Sequence, residues 1–379
     1  MNGKFLVTGG AGFIGTNLVN NLLSDGCSVT ILDSLARKGT QSNLAWLQRH
    51  HDKRQLEFVR GDVRDFAIVK SAATNADAIY HLAGQVAVTS SVCDPRLDFE
   101  VNTLGTFNVL EAARLSGRKP IVVFTSTNKV YGEMDSVATI ELDTRYAYRD
   151  LPYGVSESQP VDFHSPYGCS KGAADHYVRD YARIYGLRTI VFRMSCIYGP
   201  RQFGSEDQGW LAHFMIASET AKPITIYGNG KQVRDVLFID DLVKAFRFAV
   251  DKIGVTAGQV YNIGGGPKNT IAVWREFGPL LSRWKAKKVP VRFDKWRAGD
   301  QPCYVSDIRK AHAHMRWQPT VDTETGIRRL WEWVKSNKKL FDTLQAIGQL
   351  GPTSKPRQRS RERRMRVSRS LLRAKEVRA

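Results

Sequence analysis

The first 25 residues constrain the fold more than any other part of the chain. An apolar run, Lys4–Thr8, passes straight into Gly9-Gly-Ala-Gly12-Phe-Ile-Gly15, and helical periodicity follows over Phe13–Leu23. Strand, glycine turn and helix in that order make a cradle for a dinucleotide. Gly9 permits the tight turn, Gly12 lets backbone approach a pyrophosphate, and Gly15 lets helix and strand pack closely. The helix N-terminus, with Phe13 and Ile14 in its first turn, offers unpaired N–H groups to the anion. A glycine pattern alone is weak evidence. Here Asp33 answers it at the end of the second apolar run, where a carboxylate accepts hydrogen bonds from the adenosine ribose. Its charge disfavours a 2′-phosphate and points to NAD over NADP, while Arg37 and Lys38 nearby pull the other way. Asp62, in Gly61-Asp-Val63 after the third run, has two readings: a contact to the adenine edge, or a helix N-cap.

Further β-branched runs at Ser28–Asp33, Leu56–Arg60, Ala78–Leu82, Ile121–Thr125 and Arg188–Arg193 are separated by amphipathic stretches such as Phe99–Leu115 and Pro166–Tyr185. That βαβ rhythm predicts an α/β fold built on a Rossmann-type doubly wound parallel sheet. From about 196 onward glycine turns, short strands and helices mix, and six of the eight tryptophans fall between Trp274 and Trp333. A smaller mixed α/β substrate-binding lobe, with elements returning to the sheet, is expected there. The expected division is a catalytic domain over 1–340, with its dinucleotide-binding part mainly 1–195 and its substrate lobe mainly 196–340, then a basic extension over 341–379.

The formal charge of +19 would ordinarily suggest a nucleic-acid partner, but its position narrows that inference. Residues 351–379 hold 11 basic and two acidic side chains, so +9 of the excess lies in the extension. This segment reads as solvated chain; the rival is a basic arm that contacts nucleic acid or an anionic surface, which would make a binding protein on a dehydrogenase scaffold. No apolar run approaches the ~18–20 residues of a membrane span, and a first strand at Lys4 leaves no room for a signal peptide. The five cysteines form no C-x-x-C pair, and His50-His51 and His312-x-His314 lack companion ligands, so neither disulfides nor a metal is expected. A reducing cytoplasm fits this usage.

Chemistry enters with Tyr167-Gly-Cys-Ser-Lys171, a phenol and an ammonium four residues apart and therefore on one helix face. The ammonium is expected to lower the phenol from about 10 and make it a general base near neutral pH. A second such pair, Tyr227 with Lys231, spans Gly228-Asn-Gly230 and cannot be a regular helix face. Tyr167 instead opens a helix after Ser165-Pro166, downstream of Ser126-Thr127, whose hydroxyls end the fifth run.

Taken together, Gly9-x-x-Gly12-x-x-Gly15, Asp33, Gly61-Asp62, His81-Leu-Ala-Gly-Gln85, Asn102, Thr127 with Tyr131-Gly132, and Tyr167-x-x-x-Lys171 resemble the extended short-chain dehydrogenase/reductases that act on nucleotide sugars. The longer strings Ser126-Thr-Asn-Lys-Val-Tyr-Gly132, Asp162-Phe-His-Ser-Pro-Tyr-Gly-Cys-Ser-Lys171, Asp207-Gln-Gly-Trp210 and Gly228-Asn-Gly-Lys-Gln-Val-Arg-Asp235 resemble the branch that epimerises C2 of a CDP-activated hexose. The resemblance implies NAD held also by Val63, Leu82, Ala83, Gln85 and Asn102, and Thr127, Tyr167 and Lys171 as catalytic residues. It implies substrate contacts from Gln85, Thr127, Asn128, His164, Gln208, Arg234, Arg297 and Asp300. His164 could equally be a loop histidine, and each arginine a surface ion pair. Family dehydratases carry Asp-Glu directly after the catalytic Thr, where this chain has Asn128 and Lys129, which implies oxidation and re-reduction without loss of water. By the same analogy helices Phe99–Leu115 and Pro166–Tyr185 imply a homo-oligomer.

Overall fold

Uninterrupted apolar runs, rather than alternating ones, suit strands that are covered on both faces. In the computed structural model, which describes residues 3–297 and 300–346, seven strands form one parallel sheet: β1 (Lys4–Thr8), β2 (Ser28–Asp33), β3 (Leu56–Arg60), β4 (Ala78–His81), β5 (Ile121–Thr127), β6 (Thr189–Met194) and β7 (Gln259–Ile263). Their order is β7-β6-β5-β4-β1-β2-β3. Successive side chains leave a strand on opposite sides. Val7, Ile31, Tyr80 and Val123 therefore join Leu18, Val19 and Leu22 of helix Phe13–Ser24 on one face. Leu6, Ile79, Val122 and Phe124 join Val109 and Leu110 of helix Gly105–Leu115 and Val178 of helix Ser165–Tyr185 on the other. Each fully buried aliphatic or Phe side chain contributes roughly 1.5–3 kcal/mol. This is the doubly wound Rossmann-type sheet. It reverses direction at β1, which has β2 on one side and β4 on the other, and there the strand ends open a crevice for ligands.

Three elements differ from expectation. Residues 99–115 are not one helix: Pro95–Phe99 leads into a wider π-helical turn, Glu100–Leu104, before Gly105–Leu115 resumes α-geometry. The π turn carries Asn102 inward, and π turns of this kind often mark functional positions. β5 runs on to Thr127, and β7, a short run with Asn262 inside it, joins the sheet beside β6 without having stood out in the sequence.

Beyond β6 a second, smaller sheet forms around strand Val233–Phe238, which pairs in parallel with Cys196–Tyr198 and Cys303–Tyr304 and antiparallel with Thr270–Ala272. Helices Thr323–Ser336 and Lys338–Ala346 close the described chain, the latter running across position 340. The basic segment 351–379 lies outside the described residues. Among the described residues no helix is long and apolar enough to cross a membrane.

Candidate active site

The glycine turn sits at the end of β1, packed against the segment that leaves β4. Gly9 has φ +70°, and a Cβ there would lie 2.7 Å from Ala83 N, so the turn and the Leu82–Ala83 backbone touch. A Cβ on Gly15 would come within 2.6 Å of Gly10 Cα, so helix and turn are in direct contact. Gly12 caps helix Phe13–Ser24 without any side-chain hydrogen bond, which leaves the N–H groups of its first turn, including Phe13 and Ile14, open to an anion. Asp33 stands beside the turn, with Oδ2 accepting from Ala11 N at 3.0 Å and Oδ1 from Leu35 N at 2.8 Å. Burial pushes its carboxyl above the usual range, and those two amides offset part of the rise. Each oxygen keeps a lone pair for a further donor.

β5 delivers two hydroxyls to opposite sides. Ser126 points inward and donates to Asp175 Oδ2 at 2.9 Å, whereas the Thr127 hydroxyl, at the strand end, lies close enough to Tyr167 to pull its phenol down. Tyr167, Lys171 and Asp175 share one face of helix Ser165–Tyr185, and Tyr167 and Lys171 are only 7% and 5% exposed. The structure thus brings Thr127, Tyr167 and Lys171 together. It also corrects the expected electrostatics. Lys171 Nζ donates to Thr125 O at 2.5 Å and sits 4.2 Å from the Phe124 ring centroid. Burial pushes the Tyr167 phenol up to about 12, against a downward pull from the Thr127 hydroxyl, and pushes Lys171 down to about 7 against the pull of Asp175 and Asp98. Desolvation, not the ammonium, sets the resting state of the phenol.

Several expected cofactor residues are committed to the protein itself. Asn102 Oδ1 accepts from Gln85 N at 2.9 Å while its Nδ2 donates to Ser170 Oγ at 3.0 Å and Asp98 Oδ1 at 3.2 Å, so the π turn ties the Gln85 loop to the Tyr167 helix. Gln85 spends its amide on Ala87, donating to Ala87 O at 2.7 Å and accepting from Ala87 N. Val63 is buried, and its carbonyl accepts from Asn108 Nδ2 at 2.9 Å. Asp62 is held by Arg64, whose Nη2 reaches Oδ2 at 2.9 Å and draws the carboxyl below its usual range. The N-cap reading of Asp62 is corrected: the next helix, Phe66–Ala73, is capped by Asp65.

On the substrate-lobe side the expected residues fall into two groups. Arg234 Nη2 donates to Asp300 Oδ1 at 2.6 Å, and both act on Lys129, next to Asn128, where burial and the Arg234 charge lower the ammonium while Asp300 raises it. Thr127 Oγ1 donates to Asn128 Oδ1 at 3.4 Å. Arg297 lies over the Tyr227 ring at 3.9 Å and donates to Glu206 O at 3.1 Å, with Glu206 Oε1 and Asp207 Oδ1 at 3.5 and 3.8 Å. Gln208 meets the cofactor side, accepting from Arg37 Nη2 at 3.4 Å. His164 is half-exposed between Asp162 and Glu133, at 3.1 and 3.4 Å.

Below the site runs a buried network that sequence reasoning missed. Arg193 grips Asp175 through Nε at 2.9 Å and Nη2 at 3.1 Å, and donates to the Tyr131 hydroxyl at 3.2 Å, which donates to Asn262 Oδ1 at 2.7 Å. Its signal was present: Asp175 continues the four-residue spacing of Tyr167 and Lys171. His81 is also buried, between Thr8 Oγ1 at 2.7 Å and Thr106 Oγ1 at 3.0 Å, and burial, helped by the Lys171 charge, holds it down to about 3, hence neutral. Among the described residues no group of three or more His, Cys, Asp or Glu is arranged to hold a metal ion.

The GDP-mannose 4,6 dehydratase family model matches residues 6–330. The CDP-paratose 2-epimerase of Salmonella typhi is 43% identical over 342 residues, covering 88% of this chain and 99% of that protein. The UDP-glucose 4-epimerase of Mycolicibacterium smegmatis is 33% identical, covering 89% of this chain and 100% of that one. The crystal structure of DesIV, a dTDP-glucose 4,6-dehydratase from Streptomyces venezuelae with NAD bound, superimposes with a TM-score of 0.77 at 30% identity, covering 90% of this chain and 99% of that one. With strand order, glycine turn and the Thr-Tyr-Lys cluster agreeing with a match of that length, the chain belongs to the GDP-mannose 4,6 dehydratase family, the NAD-dependent epimerase/dehydratase branch of the extended short-chain dehydrogenase/reductases.

Proposed function

We propose that the protein is an NAD-dependent C2 epimerase of a CDP-activated hexose. The observation that carries the C2 reading is the 43% identity to the Salmonella typhi CDP-paratose 2-epimerase along 99% of its length, against 33% for the UDP-glucose 4-epimerase. The cradle fits NAD: an uncapped helix N-terminus faces the crevice beside Gly9 and Gly12, and the Asp33 carboxylate has lone pairs to spare for ribose hydroxyls. Bound NAD supplies the hydride acceptor and, on return, the donor.

The chain supplies the proton chemistry and the grip. Tyr167 accepts the C2 hydroxyl proton as the carbonyl forms and returns it on re-reduction, Thr127 hydrogen-bonds the developing carbonyl oxygen, and Lys171 holds the nicotinamide ribose. Between the two half-reactions the 2-keto sugar turns, so that C2 inverts. Arg234 and Arg297 hold the diphosphate and Asp300 the nucleotide ribose; a guanidinium fork matches the oxygens of a phosphate, which here must displace the carboxylates that Arg234 and Arg297 contact. Asn128 and Lys129 follow Thr127 without a carboxylate, so no acid–base pair for loss of water stands there.

Incubation of the purified protein with CDP-paratose and CDP-glucose, without added cofactor, should invert H2 of at least one sugar, followed by NMR of the anomeric and H2 protons. Absence of H2 inversion in both, with C4 inversion of another nucleotide sugar, would sink the C2 assignment. A net oxidoreductase would instead consume added NADH stoichiometrically.

We propose further that the protein is a homo-oligomer, a homodimer in its simplest form. Phe107, Tyr177 and Ile184 are exposed on helices Gly105–Leu115 and Ser165–Tyr185, and Phe107 meets Tyr177 edge-on at 6.0 Å, so the two helices present one apolar patch. Sedimentation should give a dimer for the wild type and a monomer for Phe107→Glu/Ile184→Glu; a wild-type monomer at micromolar concentration would refute the dimer.

A further inference from the structure

The segment Pro200–Gln208 leaves the substrate lobe and crosses back over the dinucleotide-binding half, touching helix Phe13–Ser24, helix Thr40–His50 and the loop after Asp33. Asn17 Nδ2, in the helix that follows the glycine turn, donates to Pro200 O at 3.0 Å. Asn43 Nδ2 reaches both Arg201 O and Ala11 O at 3.3 Å, so one amide ties the crossing segment to the glycine turn itself. The Arg201 guanidinium lies 4.0 Å from the Trp46 ring centroid. Phe203 packs on Gly39, which has φ +82° and where a Cβ would lie 2.8 Å from Phe203 Cε2, and Arg37 reaches Gln208. The segment is thus a strap fastened at one end to the turn and at the other to the loop that follows Asp33.

The strap is backed by the end of the chain. The Phe203 ring meets Trp333 edge-on at 6.1 Å and Phe341 at 5.7 Å, Trp333 and Phe341 meet at 5.5 Å, and Arg201 also lies over Trp333 at 5.9 Å. Phe341 is fully buried, yet its helix, Lys338–Ala346, lies past the residues matched by the family model, which end at 330. This helix spends its buried aromatic on Phe203, the ring that presses the Asp33 loop.

We propose that Phe341 is a positioning residue for cofactor retention, bracing the Phe203 strap over the dinucleotide-binding turn so that bound NAD exchanges slowly. The inference rests on the NAD reading above. Its physical content is local opening: a ligand beneath a packed segment leaves only when that segment lifts, and the rate follows the population of the lifted state. An enzyme that must regain its hydride from the same cofactor molecule gains from a slow exit.

The test uses the full-length protein and ε-NAD as the probe. Uptake of ε-NAD in exchange for bound NAD, read by fluorescence, should be about ten-fold or more faster in Phe341→Ala than in the wild type, with Phe341→Leu between them and the KM for the sugar nucleotide unchanged. Phe246→Leu, a large-to-small change in the main core away from the strap, should leave exchange at the wild-type rate despite its loss of Tm. Equal exchange rates in wild type and folded Phe341→Ala overturn the proposal, as does acceleration of the same size in Phe246→Leu. Should Phe341→Ala fail to fold, Phe341→Leu and Trp333→Phe decide by the same rates, faster exchange supporting the brace and wild-type rates refuting it. A wild-type protein that neither retains NAD nor takes up ε-NAD would overturn the cofactor reading instead, and the brace with it.

Discussion

Tyr167→Phe is expected to lower kcat by about 10³-fold or more while the protein still holds its NAD, measured as C2 inversion of the CDP-sugar and as NAD content after gel filtration. The ring keeps its volume, so packing in the buried site is preserved, and the contacts expected for the dinucleotide, at the glycine turn and Asp33, are elsewhere. What is lost is the phenol hydroxyl beside Thr127, the group proposed to take and return the proton. Burial holds that phenol up at about 12, so before the reactants bind it rests protonated. Turnover within ten-fold of wild type would show that another group carries the proton. Loss of NAD with loss of activity would mean that Tyr167 anchors the cofactor.

Asp175→Ala should destabilise the protein by about 3–5 kcal/mol, read from the urea unfolding midpoint. Arg193 and Asp175 are 3% and 0% exposed, and the guanidinium is held through two of its nitrogens. Removing the carboxylate leaves a buried cation whose remaining partner is the Tyr131 hydroxyl. Ser126 Oγ loses its acceptor in the same change. Replacing both charged residues, as Asp175→Leu with Arg193→Met, should recover much of the loss, because a desolvated pair gains little over apolar packing of similar volume. A loss below about 1 kcal/mol for Asp175→Ala would show that the pair is hydrated and that the network is not a structural element.

The dinucleotide half of the molecule was largely legible because its signals are local. Gly9 and Gly15 must be glycine for steric reasons, and β1, β2 and β3 begin and end where their apolar runs do. Tyr167 and Lys171 were legible through helix periodicity. What stayed hidden depends on residues far apart in sequence: β7 reaches the sheet from 259–263, and Asn43 meets Arg201 across 158 positions. The electrostatics of Tyr167 and Lys171 were misjudged for a related reason, since spacing shows who can be neighbours but not how much water the fold removes. Asn102 was found by its motif, yet only the π turn shows that its amide is spent on Gln85, Ser170 and Asp98.

Helix Ser165–Tyr185 carries Tyr167, Lys171 and Asp175 on one side, while Tyr177 and Ile184, roughly opposite by the 3.6-residue turn, are 45% and 66% exposed. Chemistry and surface therefore occupy different angles of a single rod. Laboratory evolution of this enzyme can rewrite the outward angle, changing solubility or assembly, without moving the atoms that handle the proton. The inward angle has no such freedom: Tyr167 and Lys171 answer to the proposed proton chemistry and Asp175 to the buried Arg193 it pairs, so selection for a new sugar must find its variation on the facing lobe.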